Sequence, residues 1–157
     1  NYDNSKYLEQ ALLWGKKSAE ITHDHIEGIK GSQAVIYAGI LASKKYPKIH
    51  IRKEIEDVFG YDLSFDFIER SKTYKYNESC QECVPEAIVA FLKARSFNES
   101  IQNCLSLGGD ADSLCAISGG LAESYYGLPK SLWTWAEKKL DPDMKLKLNQ
   151  FYHETSK

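Results

Sequence analysis

At 157 residues the chain has material for one sizeable core, and a single domain over 1–157 is the expected organisation. Twenty Lys and Arg stand against 22 Asp and Glu, so no basic field draws nucleic acid, and none is expected as a partner. Hydrophobic residues make up 43% and charged residues 27%, with no apolar run long enough to cross a bilayer, which argues against membrane insertion.

Apolar residues recur at helical spacing almost throughout, and no sustained period-two alternation demands a sheet; the fold class read from this pattern is all-α. The first helix is predicted over about Ser5 to Glu20, with Leu8, Ala11, Leu12 and Ala19 on one face. Asp24 and Glu27 form a capping-box pattern for a second, running through Val35, Ile36, Ile40 and Leu41 toward Lys45. A third covers about Ile49 to Phe59, with Ile51, Ile55 and Val58 inward and Gly60 suited to its left-handed end.

Ser64 is the expected cap of a short fourth helix, and Thr73 to Ser79 reads as an extended loop. Pro85 fits a first helical turn, with Ala87, Ile88, Phe91 and Leu92 as the inward stripe beyond it. Ser96 and Glu99 make a second capping box, for a helix ending at Gly108-Gly109. Asp110 is then the expected cap of a helix with Leu114, Ile117, Leu121 and Tyr125 inward. Segments after Pro129 and Asp141-Pro142 complete the chain.

Small residues cluster at Gly28, Gly31, Ala38, Gly39 and Ala42, and again at Gly119, Gly120 and Ala122. Each interior Gly costs about 1 kcal/mol relative to Ala, so the clusters point to close helix approach or to room for a ligand. Of the four cysteines, Cys80 and Cys83 form a Cys-x-x-Cys without a second ligand pair or a βαβ setting, so neither zinc nor redox chemistry is read from them. Cys104 and Cys115 occupy apolar helix positions, and a reducing, cytoplasmic compartment is expected.

The densest chemistry lies in Gly108-Gly109-Asp110-Ala111-Asp112-Ser113, two carboxylates and a hydroxyl at a helix N-terminus. Oxygen-only donors suit a hard cation such as Mg2+. A helix N-terminus also favours acids without any metal, by roughly 0.3–1 kcal/mol. Repulsion between two charges about 4 Å apart is of the same size in water and about 4 kcal/mol at an effective dielectric near 20. Burial therefore decides whether the pair needs a cation, and both readings stay open at this point. In Thr22-His23-Asp24-His25-Ile26-Glu27-Gly28 the histidines are two apart, not the four that would put both rings on one helical face for a transition metal.

Several separated blocks, taken in order, resemble the ADP-ribosylglycohydrolases. They are Thr22 to Gly31, Phe59-Gly60-Tyr61-Asp62-Leu63, Ser79-Cys80-Gln81, Val84-Pro85-Glu86-Ala87-Ile88, Ser106 to Ser113, and Tyr125-Tyr126-Gly127-Leu128-Pro129. The resemblance implies a compact orthogonal all-α fold whose cleft holds two Mg2+ or Mn2+ ions and cleaves the glycosidic bond to ADP-ribosylated protein or an ADP-ribosyl small molecule. It implies metal ligation by Asp110, Asp112 and Ser113, the last standing where Thr is common, with Asp112 as the candidate bridging ligand. His23, Gly108 and Gly109 are implied to face substrate, and no catalytic base is assigned.

The family's Gly-Asp segment and Thr-Asp-Asp motif, which supply the opposite metal ligands, are absent from this sequence, and Ile26 replaces a common Pro. The chain opens at Asn1 with Met144 as its one methionine, so upstream sequence is expected, with this chain carrying the C-terminal half of the site. The missing half, or self-association through the surface it would cover, is then an expected partner. Two alternatives remain on the same fold: a non-catalytic module binding ADP-ribosyl groups or a partner protein, and a structural protein like the jellyfish lens crystallins that share the resemblance.

Overall fold

The computed structural model describes residues 4–155, which contain α-helices and no strand. The helices are α1 (Asn4–Glu20), α2 (Ile26–Ser43), α3 (Lys48–Phe59), α4 (Phe67–Thr73), α5 (Cys80–Lys93), α6 (Phe97–Leu107), α7 (Ala111–Tyr126), α8 (Lys130–Glu137) and α9 (Pro142–Thr155). The all-α expectation therefore holds. None of these helices is long and apolar enough to cross a membrane. The chain divides after Gly127 into two compact units.

In the first unit α5 is the central helix, because every residue from Cys83 to Phe91 is buried. One core joins α2, α3, α5 and α7 through Ala38, Ile51, Ile55, Ile88, Phe91 and Leu121. A second joins α5, α6 and α7 through Cys83, Ala87, Cys104, Leu107 and Leu114. Cys104 is fully buried, as a small hydrophobe would be. Close approach explains most of the small residues. A Cβ on Gly31 would lie 3.1 Å from Val84 Cγ2 and 3.2 Å from Cys80 Cβ, and one on Gly119 would lie 3.2 Å from Ile101 Cδ1.

Local signals place most ends. Gly60 closes α3 at φ 68°, and Ser96 Oγ accepts the N–H of Glu99 at 3.2 Å to open α6. The reciprocal Glu99 carboxylate accepts from Arg95 N–H at 2.7 Å, one residue earlier than a capping box requires. Several expectations need correction. His25, not Asp24, caps α2, its Nδ1 accepting the Glu27 N–H at 3.2 Å. Asp66 caps α4, accepting from Ile68 and Glu69, while Ser64 donates its N–H and hydroxyl to Asp62 Oδ1.

Val58 is 56% exposed, so α3 turns only Ile51 and Ile55 inward. Pro85 lies inside α5 rather than in its first turn, since the helix already starts at Cys80. Packing of nine consecutive buried residues offsets the one backbone hydrogen bond that a proline forfeits there. On α1, Tyr7, Leu13 and Trp14 are exposed. In the second unit, α8 and α9 meet through an edge-to-face contact of Trp133 and Tyr152, centroids 5.7 Å apart.

Candidate functional site

The turn between α6 and α7 depends on two glycines. Gly108 has φ 72° and Gly109 φ 63°, a region that side chains rarely adopt. Asp110 follows at φ −80°, ψ 66°, outside the helical range, and its carbonyl accepts the Leu114 N–H at 3.0 Å to start α7. Its carboxylate was expected to cap the helix, but it makes no capping hydrogen bond.

The Asp112 carboxyl is held below the usual carboxylate range, first by hydrogen bonding with the Asp110 carboxyl and then by the N–H groups of Asp112 and Ser113. Residues two apart within a helix do not share a face, but Asp110 sits before the first turn and is not bound by that spacing. Ser113 is next in that turn and half-buried, as is Asp110, while Asp112 is exposed. Among the described residues no group of three or more His, Cys, Asp or Glu is placed to hold a metal. His23, His25 and Glu27 are thus not gathered into such a centre.

His23 lies between α1 and α2, with Thr22 Oγ1 2.7 Å from its Nδ1. A Cβ on Gly28 would come within 2.9 Å of the His23 carbonyl oxygen, so glycine there lets this turn lie against the start of α2. His23, Gly31, Val35, Cys80 and Ile117 help line a cavity of about 430 Å³. An adjoining cavity of about 390 Å³ shares His23, Gly28 and Cys80 and adds Glu27 and Gln81. Ser113 precedes Ile117 by one turn on the same face of α7, but none of Gly108 to Ser113 lines either cavity.

The segment after α4 lies against the acidic turn. A Cβ on Gly109 would lie 2.7 Å from Tyr74 Cε1 and 3.3 Å from the Lys75 carbonyl oxygen. Close approach at Gly109 was expected from substrate; in the structure Tyr74 makes it, and the space beside Gly108 is open. The Tyr76 phenol is pushed up to about 12 by its hydrogen bond to Glu78, 2.6 Å long, with smaller contributions from Asp110 and Asp112. Tyr74, Cys80 and Ile117 were not among the residues read as functional from sequence. The Ser79-Cys80-Gln81 block was the one available signal for Cys80.

The sequence matches the ADP-ribosylglycohydrolase family over residues 2–151. It is also similar to the mouse (Mus musculus) ADP-ribosylhydrolase ARH3, 24% identical over 128 residues, an overlap covering 72% of this chain and 34% of that protein. The chain thus spans about a third of the curated relative it matches. No solved structure matches it significantly. With nearly the whole sequence matched and an all-α fold in place, the chain belongs to the ADP-ribosylglycohydrolase family.

Proposed function

We propose that this chain supplies one wall of a Mg2+- or Mn2+-dependent site that hydrolyses the glycosidic bond of ADP-ribosylated proteins or related ADP-ribosyl compounds. The observation that carries the reading is the glycine-shaped turn that sets Asp110 just before α7 and Asp112 and Ser113 in its first turn. Two carboxylates and the Ser113 hydroxyl fit a hard divalent ion as a partial oxygen set. The other ligands come from water or from the half of the site that the family's N-terminal motifs supply. Bound there, paired ions orient hydroxyls, activate water and offset charge in the transition state.

The chain's own residues have separate tasks in this proposal. Asp110, Asp112 and Ser113 hold metal. His23, oriented by Thr22, faces substrate in the cavity that runs to Ile117, and Gly108 leaves open space for ligand. Association with the remainder of the site or with another copy would cover the exposed Tyr7, Leu13 and Trp14 side chains of α1. We place the protein in the cytoplasm, in keeping with its unbridged thiols.

The test is release of ADP-ribose from modified protein by the full encoded product, with Mg2+, with chelator, and with Asp112→Ala. Metal-dependent release that the substitution lowers by 100-fold or more supports the hydrolase, and the 157-residue chain alone is expected to bind Mg2+ weakly and turn over little. Two carboxylates and one hydroxyl leave an ion mostly hydrated, which is the ground for a second reading, a module that binds ADP-ribosyl groups without cleaving them. Binding of ADP-ribose without release, in the full product, would establish that reading instead.

A further inference from the structure

Beneath the acidic turn, the structure traces a run of contacts that neither the metal ligands nor the cavity accounts for. Glu86 on α5 is fully buried, and the Nε of Arg70 on α4 donates to its Oε1. Its second oxygen, Oε2, is buried without a hydrogen-bond partner among the described residues. The Arg70 carbonyl in turn accepts the Tyr74 N–H at 2.8 Å, closing the end of α4. Tyr74 then lays its ring where a Cβ of residue 109 would stand. Its hydroxyl is buried and also lacks a partner among the described residues, so the ring and not the polar tip is what this contact uses.

Gly109 needs its positive φ, and the freedom that permits this conformation also permits others. Something outside the turn must select one. We propose that Tyr74 is a positioning residue for the acidic turn: its ring, tethered through Arg70 to the buried Glu86, holds Gly109 in the left-handed conformation from which the Asp110–Ser113 turn starts. The consequence for metal binding rests on the ligand set proposed above; the consequence for the turn's conformation does not. Ligands held by packed neighbours keep their geometry, and a displacement of about 1 Å in such a set can cost about 100-fold in function.

The test compares Tyr74→Phe, Tyr74→Leu and Tyr74→Ala by hydrogen exchange over residues 108–113 and by calorimetric titration with Tb3+. Tyr74→Phe should match wild type in both measurements, because the lost hydroxyl bonds nothing. Tyr74→Ala should speed exchange in the turn and weaken Tb3+ by at least tenfold, with Tyr74→Leu between them and available if the alanine variant does not fold. Gly109→Ala should also weaken Tb3+, and by less in the Tyr74→Ala background than in wild type, since the ring it strikes is then gone.

Unchanged exchange in Tyr74→Ala or Tyr74→Leu, equal damage from Tyr74→Phe, or additive effects of the two alanine substitutions would overturn the proposal. If wild type binds no Tb3+, the ligand assignment fails, and the exchange measurements alone decide whether Tyr74 sets the turn.

Discussion

Ser100 on α6 and Ser118 on α7 place their hydroxyl oxygens 2.7 Å apart, and both residues are fully buried. A polar pair in the interior is tolerated because each group satisfies the other. Ser100→Ala should cost about 1–3 kcal/mol, since it leaves the Ser118 hydroxyl short of a partner, and Ser118→Ala less, since the Ser100 hydroxyl keeps the carbonyl of residue 118 at 3.4 Å. Ser100→Ala/Ser118→Ala should cost less than the sum of the singles, because the double variant strands neither group. Urea unfolding of the four proteins measures this, and simple additivity would show that the hydroxyls act independently.

Glycines at helix contacts should differ in their tolerance of a methyl group according to what that group meets. A Cβ on Gly15 would press on Ile36 Cδ1 at 2.4 Å, the far end of a flexible side chain. A Cβ on Gly28 would press on backbone, the His23 carbonyl at 2.9 Å. Gly15→Ala is therefore expected to be nearly neutral, a gain of about 1 kcal/mol in helix propensity offsetting the rotation of Ile36. Gly28→Ala should destabilise by more than about 1 kcal/mol and displace the His23 turn. Thermal melts and the His23 ring resonances would report both effects.

Lys48 reaches across from α3 to the C-terminal carbonyls of α5, donating to Phe91 and Ala94, and its ammonium lies 5.0 Å from the Phe91 ring centroid. Burial lowers its pKa from 10.5 to about 8 despite the nearby Glu99. Because the native state releases this proton before the unfolded chain does, the unfolded state binds more protons between those two values. Stability from this group therefore rises with pH from about 8 to about 10.5 and is flat below that window. The stability difference between wild type and Lys48→Met should move in favour of wild type across it. A difference independent of pH would mean that Lys48 titrates normally.

Removing Arg70 should be costlier than its half-buried position suggests, because it leaves the Glu86 charge unpaired in the interior. Breaking a buried pair from one side costs about 3–5 kcal/mol, and the partial exposure of Arg70 places Arg70→Met at the low end. Burial already pushes the Glu86 carboxyl up, so without Arg70 it should take up a proton readily. The penalty should then be smaller at pH 5 than at pH 8, and Glu86→Gln in the Arg70→Met background should remove that pH dependence. Melting curves of the variants at both pH values would settle the point.

Much of the helical framework was legible because its signals are local. The i, i+4 spacing of Ile51 and Ile55, the glycine at 60 and the Ser96 cap each act within a turn or two of the chain, and each appears as read. Where two local candidates competed, the sequence alone did not choose. Asp24 and His25 both precede α2, and the backbone path puts His25 at the cap. Pro85 read as a helix start because propensity sees a missing N–H and a fixed φ, whereas burial of α5 on all sides overrides the loss of one hydrogen bond.

By itself the sequence determined an all-α chain and located its acidic turn, since periodicity, glycine and carboxylate spacing are properties of neighbouring residues. The tertiary structure decided that Tyr74 fills the space beside Gly109 and that His23 and Ile117 line one cavity. These depend on which distant segments pack together, and packing is set by the shape and burial of whole helix faces rather than by any local pattern.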